Sequence, residues 1–383
     1  MHRIKILISF LIYYQSGIGQ NLSANSTGSF TFTPQPPLNR PPVEVFYHIP
    51  EGNIATMPIL MSFHGAARDG ATHRDYWVNM ANSNGFMVFA PQFSNANYPG
   101  LGDNYIMSNI FEDGDNPSPE TFNDQNEWTC SILDPLFEYI KTDISGTQLS
   151  YSAWGHSAGA QFLHRLFMYL PNSNINVAVC SNAGWYTVPE ESVNYPYGIL
   201  NSQLPQSDLI SSFSNNIIIH LGQDDTVPST DPGGPRDNTV LNNQQGLHRL
   251  ERGQYFFNTS QTVAGNLGVD FNWEKHEVPN VGHDGQLMAN DALQYLMPFL
   301  LSTPEFDSNT LSIFPNPTNT GVVTITSNKS DVMNVQVFDI LGKQVKNETL
   351  TNNTLSVSDL KSGIYIVKIT QNNASTTKRL VIR

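Results

Sequence analysis

The sequence predicts an α/β fold, with a mostly parallel and doubly wound sheet over residues 43–303, followed by a small all-β sandwich domain over residues 311–383. Three observations carry this. Short apolar runs of strand length alternate with segments of helical spacing as far as residue 303. One of those runs leads through a glycine-flanked turn at Gly155 directly into a helix. Past residue 303 the helical period is lost, and strand-like runs separated by turns replace it.

Taken in order, residues 43–47 read as a strand closed by Pro50-Glu51-Gly52. Residues 57–63 and 86–93 are apolar runs short enough for buried parallel strands. Between them, residues 74–84 have helical spacing, with Tyr76, Trp77, Met80 and Ala81 on one side. A helix follows over 127–142, with Ile132, Leu133, Leu136 and Ile140 facing inward. Residues 149–154 form a strand and 158–170 a helix; 175–180 and 217–221 are further strands. Residues 244–267 are mostly helix, 269–278 a strand and 285–300 a closing helix. Strands separated by helices imply a sheet covered on both faces. In the tail, runs at 322–325, 335–338, 365–369 and 379–382 are strand-like.

The chain has 383 residues, enough for one large domain with an appendage. His2, Arg3 and Lys5 precede an apolar stretch over 6–14 and the small residues Gly17 and Gly19. That is the pattern of an export signal over residues 1–19, too short for a membrane anchor. Residues 20–42 are rich in Pro, Asn, Ser and Thr and read as a surface arm; residues 304–310 read as a linker. A net charge of -14 repels phosphate backbones, so nucleic acid is excluded as a partner. Stable membrane insertion is not expected either. Cys130 and Cys180 have no metal-ligand spacing, and two separate buried thiols are expected, although export permits a disulfide.

Gly155-His156-Ser157-Ala158-Gly159 matches G-x-S-x-G. Such a match arises by chance in about one chain of this length in ten. Its context gives it weight: it directly follows a strand and opens a helix, the sharp turn that exposes a serine hydroxyl at a sheet edge. A serine needs a base, and the base needs an orienting acid, in the order Ser, acid, His for this arrangement. The strand over 217–221 runs into Gly222-Gln223-Asp224-Asp225, and the strand ending at Val278 runs into Gly282-His283. The candidate triad is Ser157, Asp225 and His283, with Asp224 the alternative acid and His276 the alternative base. The oxyanion amides are assigned to Ala158 and to Ala66 in the turn His64-Gly65-Ala66, with His64 bracing that turn. No cofactor and no metal is expected.

These motifs resemble the α/β-hydrolase fold of secreted esterases and polyester depolymerases, and the resemblance spans residues 43–303. It implies a carboxylic ester hydrolase that works through an acyl-enzyme on small or polymer-borne esters. A peptidase or amidase on the same triad and a non-catalytic binding protein are the alternatives. Pro315-Asn316-Pro317, the segment from Val337 to Lys343, Ser362-Gly363-Ile364-Tyr365 and the final Lys378-Arg379-Leu380-Val381 resemble the C-terminal sorting domain of the type IX (Por) secretion system. That resemblance implies the secretion machinery as partner, passage through the periplasm and an extracellular or cell-surface destination.

The stretch over 181–216 is too short for a large cap, so an open cleft is expected. Trp185 and Tyr186 are candidate walls of the substrate site, and the loop over 94–126 a candidate partial lid or specificity loop. Its Glu112, Asp113 and Asp115 lack a calcium-ligand pattern and are expected to be solvated.

Overall fold

The structure, a computed structural model, describes residues 21–300, 312–326, 333–371 and 374–383. The expected export signal over 1–19 and the expected linker over 304–310 lie outside the described residues.

Eight strands form one sheet: β1 (Ser26–Phe32), β2 (Val43–Ile49), β3 (Ile59–Phe63), β4 (Met87–Gln92), β5 (Tyr151–His156), β6 (Ile175–Ser181), β7 (Ile217–Gly222) and β8 (Glu274–Val278). Their spatial order is β1-β2-β4-β3-β5-β6-β7-β8. The pairs β1–β2 and β2–β4 are antiparallel, and every pair from β4–β3 to β7–β8 is parallel. The helices are α1 (Gly70–Asp75), α2 (Val78–Asn84), α3 (Leu133–Ile144), α4 (Ala158–Tyr169), α5 (Gln206–Phe213), α6 (Thr239–Gln245), α7 (Arg249–Leu267) and α8 (Gly285–Leu300).

Alternation along the strands sorts the core into two layers. Met61 and Phe63 of β3 join a larger cluster with Phe137 of α3, Leu163 of α4 and Phe256 of α7. Leu60 of β3 and Trp154 of β5 turn the other way, into a cluster with Ala81 of α2 and Met288, Ala292 and Leu296 of α8. Near-continuous burial of β3, β5 and β7 follows from cover on both faces.

Several elements differ from the sequence expectation: the helix expected over 127–142 is α-helical only from Leu133, and the strand expected over 269–278 begins at Glu274. Residues 26–32, expected within a surface arm, form the edge strand β1, in register with β2 along its whole length. The alternation Phe30-Thr31-Phe32 puts both phenylalanines in the core, where Phe30 meets Tyr47, Phe89 and Tyr139. The helix expected over 74–84 splits into α1 and α2, with the fully buried Trp77 ring drawn between Trp154 and Phe86 at the break. The helix expected over 244–267 divides at Gly246, whose φ of 104° ends α6, and His248 then caps α7 through its ring nitrogen.

The tail forms two antiparallel sheets. Three strands are Ser312–Phe314, Val322–Thr326 and Thr354–Ser356; four are Met333–Phe338, Gln344–Leu350, Gly363–Gln371 and Ala374–Ile382. Val323, Ile325, Val335, Val337, Val367 and Leu380 fill its own core. Among the described residues no helix is long and apolar enough to cross a membrane.

Because Phe30 is 4% exposed and rests on three aromatic rings, Phe30→Ala should destabilise the body by about 3 kcal/mol. The measurement is the urea midpoint, and an unchanged midpoint contradicts an edge strand that seals the core.

Candidate active site

At the carboxyl end of β5 the chain reverses into α4 through Ser157, which sits at φ 58° and ψ -112°. For a residue with a Cβ that is a strained conformation, and it holds the side chain up at the turn. It is possible because the flanking glycines let the turn pack tightly. A Cβ on Gly155 would fall 2.5 Å from the Gly159 backbone, and one on Gly159 would strike the carbonyl of Phe63. The Ser157 amide donates to the carbonyl of Ser181 at 2.9 Å, which ties the elbow to the end of β6.

His283 lies in the loop after β8, and its side chain is 30% exposed. Its Nε2 stands 3.1 Å from Ser157 Oγ, and its Nδ1 stands 2.7 Å from Asp225 Oδ2. Asp225 lies past β7 and is 1% exposed. The neighbouring Asp224 is exposed, and its amide donates to the carbonyl of Val281. His276 instead meets Glu274 at 2.8 Å and stacks on Tyr295. The structure thus brings Ser157, His283 and Asp225 together and leaves Asp224 and His276 outside the cluster.

Residues not foreseen from the sequence hold these loops. Asn182, just past β6, accepts from the Gly222 amide at 2.7 Å and donates to the Gly282 carbonyl at 3.0 Å. One carboxamide therefore clamps the Asp225 loop to the His283 loop. Arg249, the first residue of α7, donates to Asp225 Oδ1 at 3.3 Å and to the Gly233 carbonyl at 3.1 Å. Neither carries a sequence signal, because each meets its partners through tertiary contact between separate loops and not through a local pattern.

Three buried histidines act as brackets between backbone segments. His64 donates from Nδ1 to the Gly65 carbonyl, and its Nε2 accepts the Phe93 amide at 3.0 Å, in keeping with the expected bracing role. His73 donates to the Asp69 carbonyl and accepts the Gly65 amide at 3.1 Å. His164 donates to the Ala160 carbonyl and accepts the Thr187 amide. Accepting an amide proton requires the neutral ring. Burial pushes His64 down to about 3, and it depresses His73 and His164 as well. His156, the variable residue before Ser157, is also driven well below its ordinary range by burial and then by the neighbouring His283.

A cavity of about 460 Å³ opens beside Ser157, lined among others by Ala66, Ala158, Gln161, Trp185 and Arg236. Ala158 is the first residue of α4, where helical amides have no intrahelical partner. Trp185 is held by cation–π contacts with Arg165, 4.1 Å from the ring centroid, and Arg236 at 5.8 Å. Tyr186 does not reach the cavity. It is fully buried and stacks on Phe256 at 4.5 Å, because adjacent residues of this extended segment point opposite ways. The loop over 94–126 is packed through Tyr98, Tyr105, Ile110 and Phe111, and forms one wall with Leu101, Asp103 and Ile106.

Asp115 of that loop pairs with Arg236 through both carboxylate oxygens, at 2.8 and 3.0 Å. Asp113 accepts from the Asp115 and Asn116 amides. Among the described residues no group of His, Cys, Asp and Glu is arranged to hold a metal ion. Cys130 and Cys180 are both buried and free.

The body is similar to poly(aspartic acid) hydrolase-1 from Sphingomonas sp. KT-1, at 29% identity and a TM-score of 0.64, over 73% of this chain and 100% of that one. It is also similar to LpqC, a poly(3-hydroxybutyrate) depolymerase from Bordetella parapertussis, at 24% identity and a TM-score of 0.63, over 73% and 95%. This body has the α/β-hydrolase fold. Residues 312–383 match the secretion system C-terminal sorting domain. No curated protein sequence matches the chain. The body with the α/β-hydrolase fold is thus followed in the chain by a segment that matches a secretion sorting domain.

The bracketing histidines set the acid stability. Their folded pKa lies below the unfolded value near 6.5, so the unfolded chain binds more protons as pH falls below that value. Stability should be full above pH 6.5 and fall steadily on acidification, with His64 alone contributing about 2 kcal/mol of loss between pH 7 and pH 5. Urea midpoints at pH 7, 6 and 5 measure this; equal midpoints would refute neutral, bracketing histidines.

Proposed function

We propose that the protein is a secreted serine hydrolase that cleaves carboxylic esters through a Ser157-His283-Asp225 triad. One observation carries the reading: the unbroken chain from Asp225 Oδ2 to His283 Nδ1 at 2.7 Å and from His283 Nε2 to Ser157 Oγ at 3.1 Å. In this reading Asp225 fixes the imidazole so that Nδ1 carries the proton and Nε2 is free to act as base. His283 takes the hydroxyl proton as Ser157 Oγ attacks the carbonyl carbon. The oxygen that becomes negative is met by the amides of Ala158 and Ala66. His283 returns the proton to the departing alcohol, and water then cleaves the acyl-enzyme by the same steps. Trp185 forms a rigid wall for the substrate. The likeness to a poly(3-hydroxybutyrate) depolymerase supports polymer-borne esters among the substrates.

The likeness to a poly(aspartic acid) hydrolase favours a second reading, cleavage of amide-linked polymers by the same three residues. Ser157→Ala should keep the far-ultraviolet circular dichroism of the parent and lower p-nitrophenyl acetate turnover on the order of 10⁴-fold or more. Retained turnover in that variant rejects the triad. Matched ester and amide substrates of one acyl group decide between the readings, with the ester expected to be cleaved faster.

For the tail we propose a role in type IX export, followed by removal at the cell surface. Deleting residues 312–383 should leave the protein in the periplasm of a host with that system. Undiminished appearance in the medium would contradict the role.

A further inference from the structure

Gln161 lies one turn along α4 from Ser157, and its amide donates to the Ser157 carbonyl at 3.1 Å. The residue lines the cavity beside Trp185 and is 4% exposed, yet its Nε2 has no hydrogen-bond partner. The carboxamide oxygen rests against Gly184, where a Cβ would come within 3.1 Å. An unmade hydrogen bond on a buried donor costs about 1–3 kcal/mol, so a carboxamide in the wall of a binding cavity gains by turning its N–H to an acceptor on the ligand. Arg249 Nε, in the same lining and equally enclosed, is likewise without a partner.

The charges of the lining limit what that acceptor can be. Arg236 is occupied by Asp115, and Arg249 by Asp225. Asp103 adds a further carboxyl, which burial pushes above its ordinary range. Each cation of the lining already faces a carboxylate, and Asp103 adds a further acidic group on the wall, so the cavity favours an uncharged ligand over an anionic one. The position of the cavity identifies which half of the substrate enters it. A departing alcohol must stand against His283 Nε2 to collect its proton. His283 does not line this cavity, whereas Ala66 and Ala158 do, so the acyl half occupies it.

We propose that Gln161 determines specificity: its Nε2 donates to an uncharged oxygen, a carbonyl or hydroxyl, carried on the acyl portion of the substrate beside Trp185. The Ser157 cavity then prefers acyl groups bearing a second neutral oxygen over plain alkyl groups and over acyl groups ending in a carboxylate. This inference rests on Ser157 being the nucleophile of the proposed triad.

The test compares kcat/KM for ethyl 4-oxopentanoate, ethyl pentanoate and monoethyl succinate, which match in length and differ in carrying a ketone, no acceptor or a carboxylate. The wild-type protein should favour the ketone about tenfold over the alkyl ester, the value of one hydrogen bond, and should disfavour the carboxylate more strongly. Gln161→Met, which keeps the volume but no donor, should bring the ketone-to-alkyl ratio close to one. Gln161→Leu, which likewise offers no donor, should lose the same preference. A wild-type ratio near one, a preference for the carboxylate, or a ketone preference that survives in either folded variant overturns the proposal. Fluorophosphonate labelling of Ser157 in the wild-type protein is read separately. A protein that labels but shows no ratio loses only the Gln161 role, and one that fails to label loses the active-site reading beneath it.

Discussion

The close approach of α4 to the ends of β3 and β5 is the constraint on which the site depends. At Gly155 and Gly159 the helix lies so near the strand backbone that no side chain fits between them. That approach lets Ser157 occupy a positive φ, at a cost of about 1–3 kcal/mol in backbone strain. A turn held in such a conformation needs surroundings that over-determine it. Here the amide of Ser157 is fixed by Ser181, its carbonyl by Gln161, and the helix behind it is buried along every residue. The hydroxyl is thus fixed by the fold of the sheet and not by its own side-chain preference.

Loops that bring distant residues to that hydroxyl are secured by buried polar groups. Asn182 clamps the two loops that carry Asp225 and His283, while His64 and His73 hold the Gly65 turn against β4 and α1. Each makes one bond as donor and one as acceptor, so each leaves no buried polar atom of its ring or carboxamide unpaired across the bracket. A satisfied bond of this kind contributes about 1 kcal/mol, but its loss strands a backbone group in the interior and costs more. The asymmetry makes such brackets stiff, which a site that must hold three side chains within tenths of an ångström requires.

Much of this was legible in the sequence, for identifiable reasons. Buried parallel strands are continuous apolar runs, and the elbow is local, so β3 to β7 and Ser157 could be read from spacing alone. The fold class agrees with the solved structures the body resembles. Other features were hidden. The edge strand β1 lies in a stretch whose prolines, at 34, 36 and 37, follow the strand and mask it. Gly246 broke a helix that periodicity ran together. Asn182, Arg249 and Gln161 are ordinary polar residues whose partners are set by tertiary contact, so no local pattern distinguishes them. Trp185 and Tyr186 both follow β6 in sequence, but only Trp185 lines the cavity, while Tyr186 turns into the core against Phe256.

Arg249 raises a question of balance that the distances help to decide. A carboxylate as enclosed as Asp225 carries a desolvation cost of several kcal/mol unless paired. His283 alone cannot offset this, because its ring is neutral until it accepts a proton. Arg249 supplies a permanent charge to Oδ1 and leaves Oδ2 to the imidazole, so the two partners do not compete for one oxygen. The same charge opposes a cation on His283, which weakens the electrostatic help Asp225 can give to a protonated ring. At 3.3 Å the Arg249 contact is longer than the 2.7 Å bond to His283, and Arg249 shares its nitrogen with the Gly233 carbonyl. The shorter bond dominates the local interaction, so the arginine holds the far oxygen of the carboxylate in place while the imidazole remains its closer partner.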